Sequence, residues 1–112
     1  MKHTIRLTTT GRRSGQPRQV TLYAFDDADR LVIVGSRGGA AQDPAWVGNL
    51  RARPEATVKR GRAEQPVRTT EVTGDERDRL WRLVVREFPL YEAYRKRTSR
   101  TIPLFVLEPD SR

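Results

Sequence analysis

Six short segments rich in β-branched or alternating apolar residues set the fold class of this chain. Most are bounded by glycine, proline or aspartate, the residues that end strands and form turns. The segments do not alternate regularly with helices, as the strands of a parallel sheet would. We therefore predict a mainly β structure of the α+β type, an antiparallel sheet or barrel with helical insertions. The predicted strands are residues 5–10, 19–25, 31–36, 56–60, 63–72 and 102–107.

The third predicted strand and the helix after it have clear sequence signals. Residues 31–36, LVIVGS, are almost continuously apolar, so this strand is expected to be buried on both faces. Asp43 is placed to cap a short helix at residues 44–53, with Pro44 at its first position.

Two further helices are predicted near the C-terminal end. Thr73 and Glu76 have the spacing of a capping box, and the apolar residues after them recur every 3.6 residues as far as Phe88. Pro89 interrupts that helix, and residues 91–97 are predicted to form one or two more helical turns.

Length and composition exclude several kinds of function. The 112 residues suffice for one domain, which we assign to residues 1–112. There is no cysteine, and the one histidine, His3, lies at a terminus expected to fray, so metal sites and Ser-His-Asp catalysis are disfavoured. No segment resembles a membrane span or a signal peptide. We expect a cytoplasmic protein, with contact at the inner membrane surface left open.

Positive charge is concentrated in the first part of the chain. Lys and Arg total 22 against 14 Asp and Glu, a formal net charge of +8. Residues 1–70 carry 13 basic and 6 acidic side chains, whereas residues 71–112 carry 9 and 8. An anionic ligand is therefore expected to bind to residues 1–70.

The segment GRRSGQPR, residues 11–18, is called the basic loop below. Its glycines allow successive backbone N–H groups to face one point, and its three arginines add forked donors that match phosphate or carboxylate. The spacing of a P-loop is absent, which argues against nucleoside triphosphate hydrolysis. From spacing alone, an anion site and a solvated hairpin loop are equally good interpretations.

A second glycine-containing loop, SRGGAAQDPAW, occupies residues 36–46. It places Ser36 and Arg37 after the third strand and before the N-terminus of a helix. A helix N-terminus attracts anions, and the paired glycines allow a ligand to approach the backbone closely. Taken alone, this loop is more simply a strand-to-helix connection. Two such loops flanking one sheet favour a shared anionic ligand.

Two pairs of side chains have helical spacing and could either pack in the core or contact a ligand. Trp46 and Asn49 project from one face of the short helix, and Tyr91 and Tyr94 are equally spaced after Pro89. A phenol beside a site can donate a hydrogen bond or a proton.

Taken in order, three motifs resemble those of the deazaflavin-dependent nitroreductase family. They are TTTGRRSGQPR, then LVIVGSRGGAAQDPAWVGNL with RARPEATV, then FPLYEAYRKRTSRTIPLFVLEP, and they extend over residues 8–109. The resemblance implies a split β-barrel like that of flavin-mononucleotide-binding oxidases. It also implies the cofactor F420, an 8-hydroxy-5-deazaflavin with a phosphate and a glutamate tail. The implied reaction is hydride transfer from reduced F420 to quinones, nitro compounds or activated alkenes.

The same resemblance assigns site residues. Tyr91 and Tyr94 match tyrosines of the family's substrate pocket. Tyr94, with Tyr91 or Ser36 as the alternatives, is expected to orient the acceptor and supply the proton that follows the hydride. The residues matched to cofactor binding lie on both loops, the second strand, the end of the third strand and the first helix. They are Arg12, Arg13, Ser14, Arg18, Gln19, Val20, Thr21, Leu22, Tyr23, Val34, Gly35, Ser36, Arg37, Gly38, Gly39, Ala45, Trp46 and Asn49.

Two departures from the family pattern modify these expectations. Relatives commonly carry Met at the position of Ala45 and Pro at that of Thr21, so looser contacts to the ring or a wider pocket are expected. Relatives also often have an N-terminal extension, whereas this chain starts almost at its first strand. We therefore expect an open acceptor side.

The sequence thus predicts an F420H2-dependent oxidoreductase that uses no metal and acts on a small electrophilic acceptor. A non-catalytic carrier of F420 or a flavin is the main alternative, and flavin mononucleotide is the alternative cofactor. A nucleic-acid-binding module is suggested only by the isoelectric point near 11.0, and the basic stripe interleaved with aromatics that it requires is absent. A homodimer is left open.

Overall fold

Six antiparallel strands close into a barrel in the computed structural model, which describes residues 1–110. Around the barrel the order is β1-β2-β3-β6-β5-β4. The predicted mainly antiparallel barrel with helical insertions is confirmed, and the predicted domain includes residues 111–112, which lie outside the described part. The strands are β1 (Lys2–Thr10), β2 (Pro17–Asp27), β3 (Arg30–Val34), β4 (Glu55–Arg60), β5 (Ala63–Glu71) and β6 (Leu104–Pro109).

Three α-helices and one short turn are inserted between the strands. The helices are α1 (Ala45–Ala52), α2 (Gly74–Glu87) and α3 (Leu90–Arg97), close to the predicted positions. A 3-10 turn at Arg37–Gly39, called the Arg37 turn below, connects β3 towards α1. None of the helices within residues 1–110 is long and apolar enough to cross a lipid bilayer.

Strand β3 separates two hydrophobic cores, which confirms its predicted burial on both faces. Ile33 belongs to the barrel interior, where Trp46 of α1 packs edge-on against Phe105 at 5.7 Å between ring centroids. Val32 faces the other way, into a second core that includes Leu80 of α2. Helix α1 therefore closes the barrel, while α2 and α3 pack on its outside.

The barrel is split along one edge of β2. This strand pairs with β1 from Pro17 to Phe25, but only residues 25–27 pair with β3. Among the described residues, the β3-facing edge of residues 17–24 has no strand neighbour. Its backbone groups are thus available to a ligand.

The expected capping interactions at α1 and α2 are wrong. Pro44 is the N-cap of α1, and the Asp43 carboxylate binds two arginines instead of the helix. Thr73 is the N-cap of α2 but its side chain makes no capping hydrogen bond, and the Glu76 carboxylate binds Arg30 and Arg79 instead of the Thr73 backbone. In both places a charged partner from elsewhere in the chain outcompetes the local backbone.

The expected fraying around His3 is also wrong. Strand β1 begins at Lys2, and His3 Nε2 lies 2.7 Å from Oδ2 of Asp26, with the Arg60 guanidinium beside the ring. Pairing of β1 with β2 from Lys2 onward fixes this end of the chain.

Candidate functional site

A cavity of about 1220 Å³ opens beside the free edge of β2. Its walls are the basic loop, the Arg37 turn, the start of α1 and the tyrosines of α3. This volume exceeds the range of about 300 to 1,000 Å³ typical of small-molecule pockets, so it has room for a large ligand and a second molecule. Folding has brought the two glycine-containing loops together on one cavity.

Arg12 holds the basic loop against α1. Its backbone N–H donates to Oδ1 of Asn49 at 3.0 Å, and its guanidinium donates to the carbonyl of Ala45 at 3.3 Å. A Cβ atom at Gly48 would lie 2.9 Å from Nη1 of Arg12, so only glycine lets the guanidinium lie flat on the helix. Arg12 thus lines the cavity while its side chain is already engaged by the protein.

Arg13, Arg18 and Arg37 are cationic side chains of the wall, together called the cationic end of the cavity. All three line it and are exposed. Within residues 1–110, none of them has a carboxylate within 4.0 Å; Arg18 makes only a 3.4 Å contact with Oγ of Ser14. Guanidinium groups of this kind match the geometry of phosphate and carboxylate.

The basic loop is built to hold a fixed shape. The amide of Gly11 donates to the carbonyl of Gln16 at 2.8 Å, and the amide of Gly15 donates back to the carbonyl of Gly11 at 2.8 Å. Ser14 Oγ accepts from the amide of Gln16 at 3.1 Å. Gly15 has φ of 71°, a backbone conformation that favours glycine.

Asn49 is a buried support of this loop. Its Nδ2 donates to Oγ1 of Thr9 at 3.0 Å, and its Oδ1 accepts from Arg12. Both groups of the amide are therefore used by the protein. Asn49 borders the cavity, as the sequence predicts, and its visible contacts connect α1, β1 and the basic loop.

Four aromatic rings form another part of the cavity wall, which is called the aromatic end below. Phe88 lies 4.8 Å from Tyr91, 5.4 Å from Tyr23 and 6.5 Å from Tyr94, measured between ring centroids. The Lys2 ammonium lies over the Tyr23 ring at 4.4 Å. This end offers apolar ring faces together with three phenol groups.

Tyr91 and Tyr94 differ in environment. Tyr91 is buried, and burial, followed by the neighbouring Tyr94 and Tyr23, raises the pKa of its phenol far above the usual value. Tyr94 is only partly buried, and the Arg97 guanidinium lies 5.8 Å from the centre of its ring. The Tyr91 phenol therefore keeps its proton across the physiological pH range and can donate a hydrogen bond into the cavity.

Most of the predicted site residues border this one cavity, but two glycines do not. Gly35 packs in the core, where a Cβ atom would lie 2.9 Å from both Pro103 and Val47. Gly39 packs against α3, where a Cβ atom would lie 2.7 Å from the Tyr94 carbonyl oxygen. Every other predicted residue is part of the cavity wall. The members of that set are Arg12, Arg13, Ser14, Arg18, Gln19, Val20, Thr21, Leu22, Tyr23, Val34, Ser36, Arg37, Gly38, Ala45, Trp46, Asn49, Tyr91 and Tyr94.

Sequence reasoning missed several wall residues. Phe88 carried a usable signal, since an aromatic residue directly before Pro89 and close to Tyr91 ends one helix beside the start of another. Four others lie within the two loops that the sequence singles out, although they were not themselves assigned to the site. They are Gly11, Gln42, Asp43 and Pro44. Thr4 and Thr9 of β1 had no signal in the sequence, because only the closure of the barrel brings them to the cavity.

Residues 1–109 match the family model described as F420H(2)-dependent quinone reductase. A curated relative in Mycobacterium tuberculosis, an F420H2-dependent quinone reductase, is 38% identical over 104 residues, which are 90% of this chain and 70% of the relative. The implied resemblance to deazaflavin-dependent reductases is thereby confirmed.

Two solved structures match at the same level. One, described as an F420-H2-dependent reductase (FDR-A), has a TM-score of 0.85 and 35% identity, covering 94% of this chain and 93% of that one. The other, described as a domain-swapped dimer, has a TM-score of 0.85 and 35% identity, covering 94% of this chain and 79% of that one. These likenesses confirm the split-barrel fold.

Proposed function

Because the chain belongs to the F420H2-dependent quinone reductase family, we propose that its cavity holds reduced F420 beside a quinone-like acceptor. The protein is an F420-dependent oxidoreductase, and F420 is its cofactor. The observation that supports this placement is the make-up of the cavity wall, which combines three exposed arginines with a cluster of four aromatic rings. Residues 1–112 would act as one deazaflavin-binding domain.

The cationic end fits the phosphate and glutamate tail of the cofactor. Arg13, Arg18 and Arg37 supply guanidinium groups with no carboxylate partner among the described residues, and Arg12 fixes the loop that carries two of them. Asp43 is the one acidic side chain in the described wall, and Arg100 and Arg51 bind its carboxylate. A polyanion would therefore meet little opposing charge there.

The free edge of β2 fits the deazaflavin ring system. Residues from Gln19 to Tyr23 border the cavity on this edge, so backbone N–H and C=O groups are available to polar ring atoms. Trp46 also borders the cavity and is only 5% exposed, which gives a rigid apolar part of the wall. Ala45 also borders the cavity, where its small side chain would fill less space than a methionine.

When bound, reduced F420 supplies the hydride, and the protein supplies position and electrostatics. Phe88 and Tyr23 would pack against a flat acceptor at the aromatic end. The Tyr91 phenol is protonated at neutral pH, as any tyrosine is, and burial raises its pKa further. It would donate a hydrogen bond to the acceptor oxygen that gains negative charge. Partly exposed Tyr94 would pass a proton from solvent to that oxygen through its Oη. Ser36, nearly buried on the cavity wall, is a second candidate donor.

Nitro compounds and activated alkenes are proposed as further acceptors. Like quinones, they develop negative charge on oxygen, or on an adjacent carbonyl, when a hydride adds. The same phenol donors would stabilise that charge. The acceptor range is thus set by shape at the aromatic end more than by one specific polar contact.

A homodimer is a further part of this proposal. It is supported by the 35%-identical structure described as a domain-swapped dimer. Light scattering of the purified protein tests it, with a mass near twice 12.9 kDa expected and a mass of 12.9 kDa contradicting it.

Anaerobic oxidation of F420H2 by menadione tests the proposed reaction. We expect F420H2 to be consumed only when protein and menadione are both present, with parallel reactions for a nitroaromatic and an activated alkene. Binding of F420 without turnover of any acceptor would support a carrier instead. Turnover with reduced flavin mononucleotide in preference to F420H2 would contradict the cofactor assignment.

A further inference from the structure

Arg100 binds three acceptors around the Arg37 turn. Its Nη2 donates to the carbonyl of Ser36 at 2.7 Å, its Nε to the carbonyl of Ala40 at 2.8 Å, and its Nη1 to Oδ1 of Asp43 at 2.7 Å. The side chain is only 14% exposed and does not line the cavity. All three guanidinium nitrogens are thus committed to one loop, which lies about 60 residues earlier in the chain.

The turn between these acceptors has an unfavourable backbone. Arg37, Gly38 and Gly39 have φ values of 46°, 62° and 82°, so three successive residues are left-handed. For Gly38 and Gly39 this is allowed, but an arginine rarely adopts it. The two carbonyls that Arg100 holds belong to Ser36 and Ala40, which directly flank the three residues. Strained residues persist where surrounding contacts determine their conformation.

The strained residue is also the one whose side chain belongs to the cationic end of the cavity. Arg37 borders the cavity, and its own guanidinium makes no ion pair within residues 1–110. If the turn relaxed to a right-handed conformation, the direction of its side chain would change. We propose, on the basis of the proposed function, that Arg100 is a positioning residue that holds Arg37 for the anionic part of the cofactor.

Arginine is required for this role because of its shape. The planar guanidinium presents donors in a fixed fork, and the three acceptors lie around that plane. A lysine would keep the charge near Asp43 but could not hold both carbonyls in the same geometry. Arg100→Lys is therefore a mild variant that removes the fork and retains the ion pair.

Fluorescence titration with F420 tests the proposal in a double-mutant cycle of Arg100→Lys and Arg37→Ala. We expect Arg100→Lys to weaken F420 binding about tenfold or more, and Arg37→Ala to have little further effect in that background. The matched control is Arg79→Lys, which also loses a fork of hydrogen bonds, to Asp27 and Glu76, away from the cavity. It should change affinity less than about twofold.

Several results would overturn the proposal. The first is an F420 affinity of Arg100→Lys equal to that of the Arg79→Lys control. The second is a double variant whose loss of affinity equals the product of the losses in Arg100→Lys and Arg37→Ala, because the two residues would then act independently. Should Arg100→Lys fail to fold, Asp43→Asn weakens one of the three interactions and is tested in the same cycle, where a smaller loss with the same coupling is expected. Independent effects of Asp43→Asn and Arg37→Ala would then overturn it.

Hydrogen exchange separates this inference from the proposed function. The amides of Gly39 and Ala40 donate within the turn, to the carbonyls of Ser36 and Arg37. Arg100→Lys should speed their exchange about tenfold in the absence of any cofactor, whereas Arg79→Lys should not. A wild type that binds no F420 would refute the proposed function alone. Unchanged exchange in Arg100→Lys would refute the role of Arg100 whether or not F420 binds.

Discussion

Asn49 donates a 3.0 Å hydrogen bond from Nδ2 to Oγ1 of Thr9, and both side chains are buried. The other half of the amide accepts from the Arg12 backbone at 3.0 Å. One side chain therefore joins the helix that closes the barrel, its first strand and the basic loop.

Replacing Asn49 by Ala should affect both stability and binding. The Thr9 hydroxyl and the Arg12 N–H would lose their partner, which costs about 1 to 3 kcal/mol of unfolding free energy. Urea unfolding measures this loss, and F420 titration should show weaker binding because the basic loop is released. Asn49→Asp, which keeps the acceptor for Arg12, should retain more affinity. Full F420 affinity in Asn49→Ala would contradict the supporting role of the amide.

Arg13→Ala and Arg18→Ala should each weaken F420 binding by about 1.5 to 3 kcal/mol, because each removes one charge-assisted contact with the cofactor's anionic groups. Isothermal titration calorimetry at fixed ionic strength measures the difference. Arg62→Ala is the matched control, since it removes the same charge from an exposed turn outside the cavity. Equal losses in all three variants would indicate general electrostatic attraction and no local anion site.

Tyr91→Phe should reduce kcat with menadione about 10- to 100-fold and leave the affinity for F420 nearly unchanged. The variant keeps the buried ring and its packing on Phe88 but loses the phenol O–H. Stopped-flow oxidation of F420H2 gives kcat, and fluorescence gives the affinity. A normal kcat in Tyr91→Phe would assign the donor role to Tyr94 or Ser36.

Gly39→Ala should destabilise the protein more than Gly61→Ala. Both glycines have positive φ, 82° and 61°, so alanine costs about 1 to 2 kcal/mol at either position. At Gly39 the new Cβ would also lie 2.7 Å from the Tyr94 carbonyl oxygen, which adds about 1 to 3 kcal/mol, whereas Gly61 has open space. Thermal unfolding of the two variants gives the comparison. Equal melting temperatures would show that α3 does not press on the Arg37 turn.

Asp27 should contribute to stability at neutral pH and lose that contribution in acid. Hydrogen bonds from Arg79 and then Arg30 lower the pKa of its carboxyl from 3.8 to about 2. Because the folded-state pKa lies below the unfolded value, the contribution is complete above about pH 5 and disappears as the pH falls towards 2. Urea unfolding of Asp27→Asn should show a deficit of about 2 kcal/mol at pH 7 that vanishes near pH 2. A deficit independent of pH would assign the effect of Asp27 to packing.

The strands and both loops of the site follow from local signals. Alternating β-branched residues mark the strands. The glycines at positions 11, 15, 38 and 39 mark chain reversals, where a side chain in place of the glycine hydrogen would clash with neighbouring atoms or strain the backbone. Such signals act over a few residues, so sequence alone carries them. The individual wall residues were assigned through the resemblance of three ordered motifs to a known family, and most of them border one cavity.

Interactions between distant charged groups could not be predicted in this way. Asp43 is a residue type that often caps a helix, yet its carboxylate binds Arg100, which lies 57 residues away in the chain. His3 lies near the N-terminus, where fraying is expected, yet its ring contacts Asp26 and Arg60. In each case a partner from another element is stronger than the local preference. The role of Arg100 is likewise invisible in a sequence that contains many arginines.

The central claim, that one end of the cavity recognises the anionic tail of F420, is tested most directly by comparing two ligands. The affinity of the wild type and of the Arg13→Ala/Arg18→Ala variant is measured for F420 and for its 8-hydroxy-5-deazaflavin chromophore without phosphate and glutamates. We predict that the wild type binds F420 at least about tenfold more tightly than the chromophore, and that the variant loses most of this preference and keeps only the part that Arg37 supplies. Equal affinity of the wild type for both ligands would contradict the account.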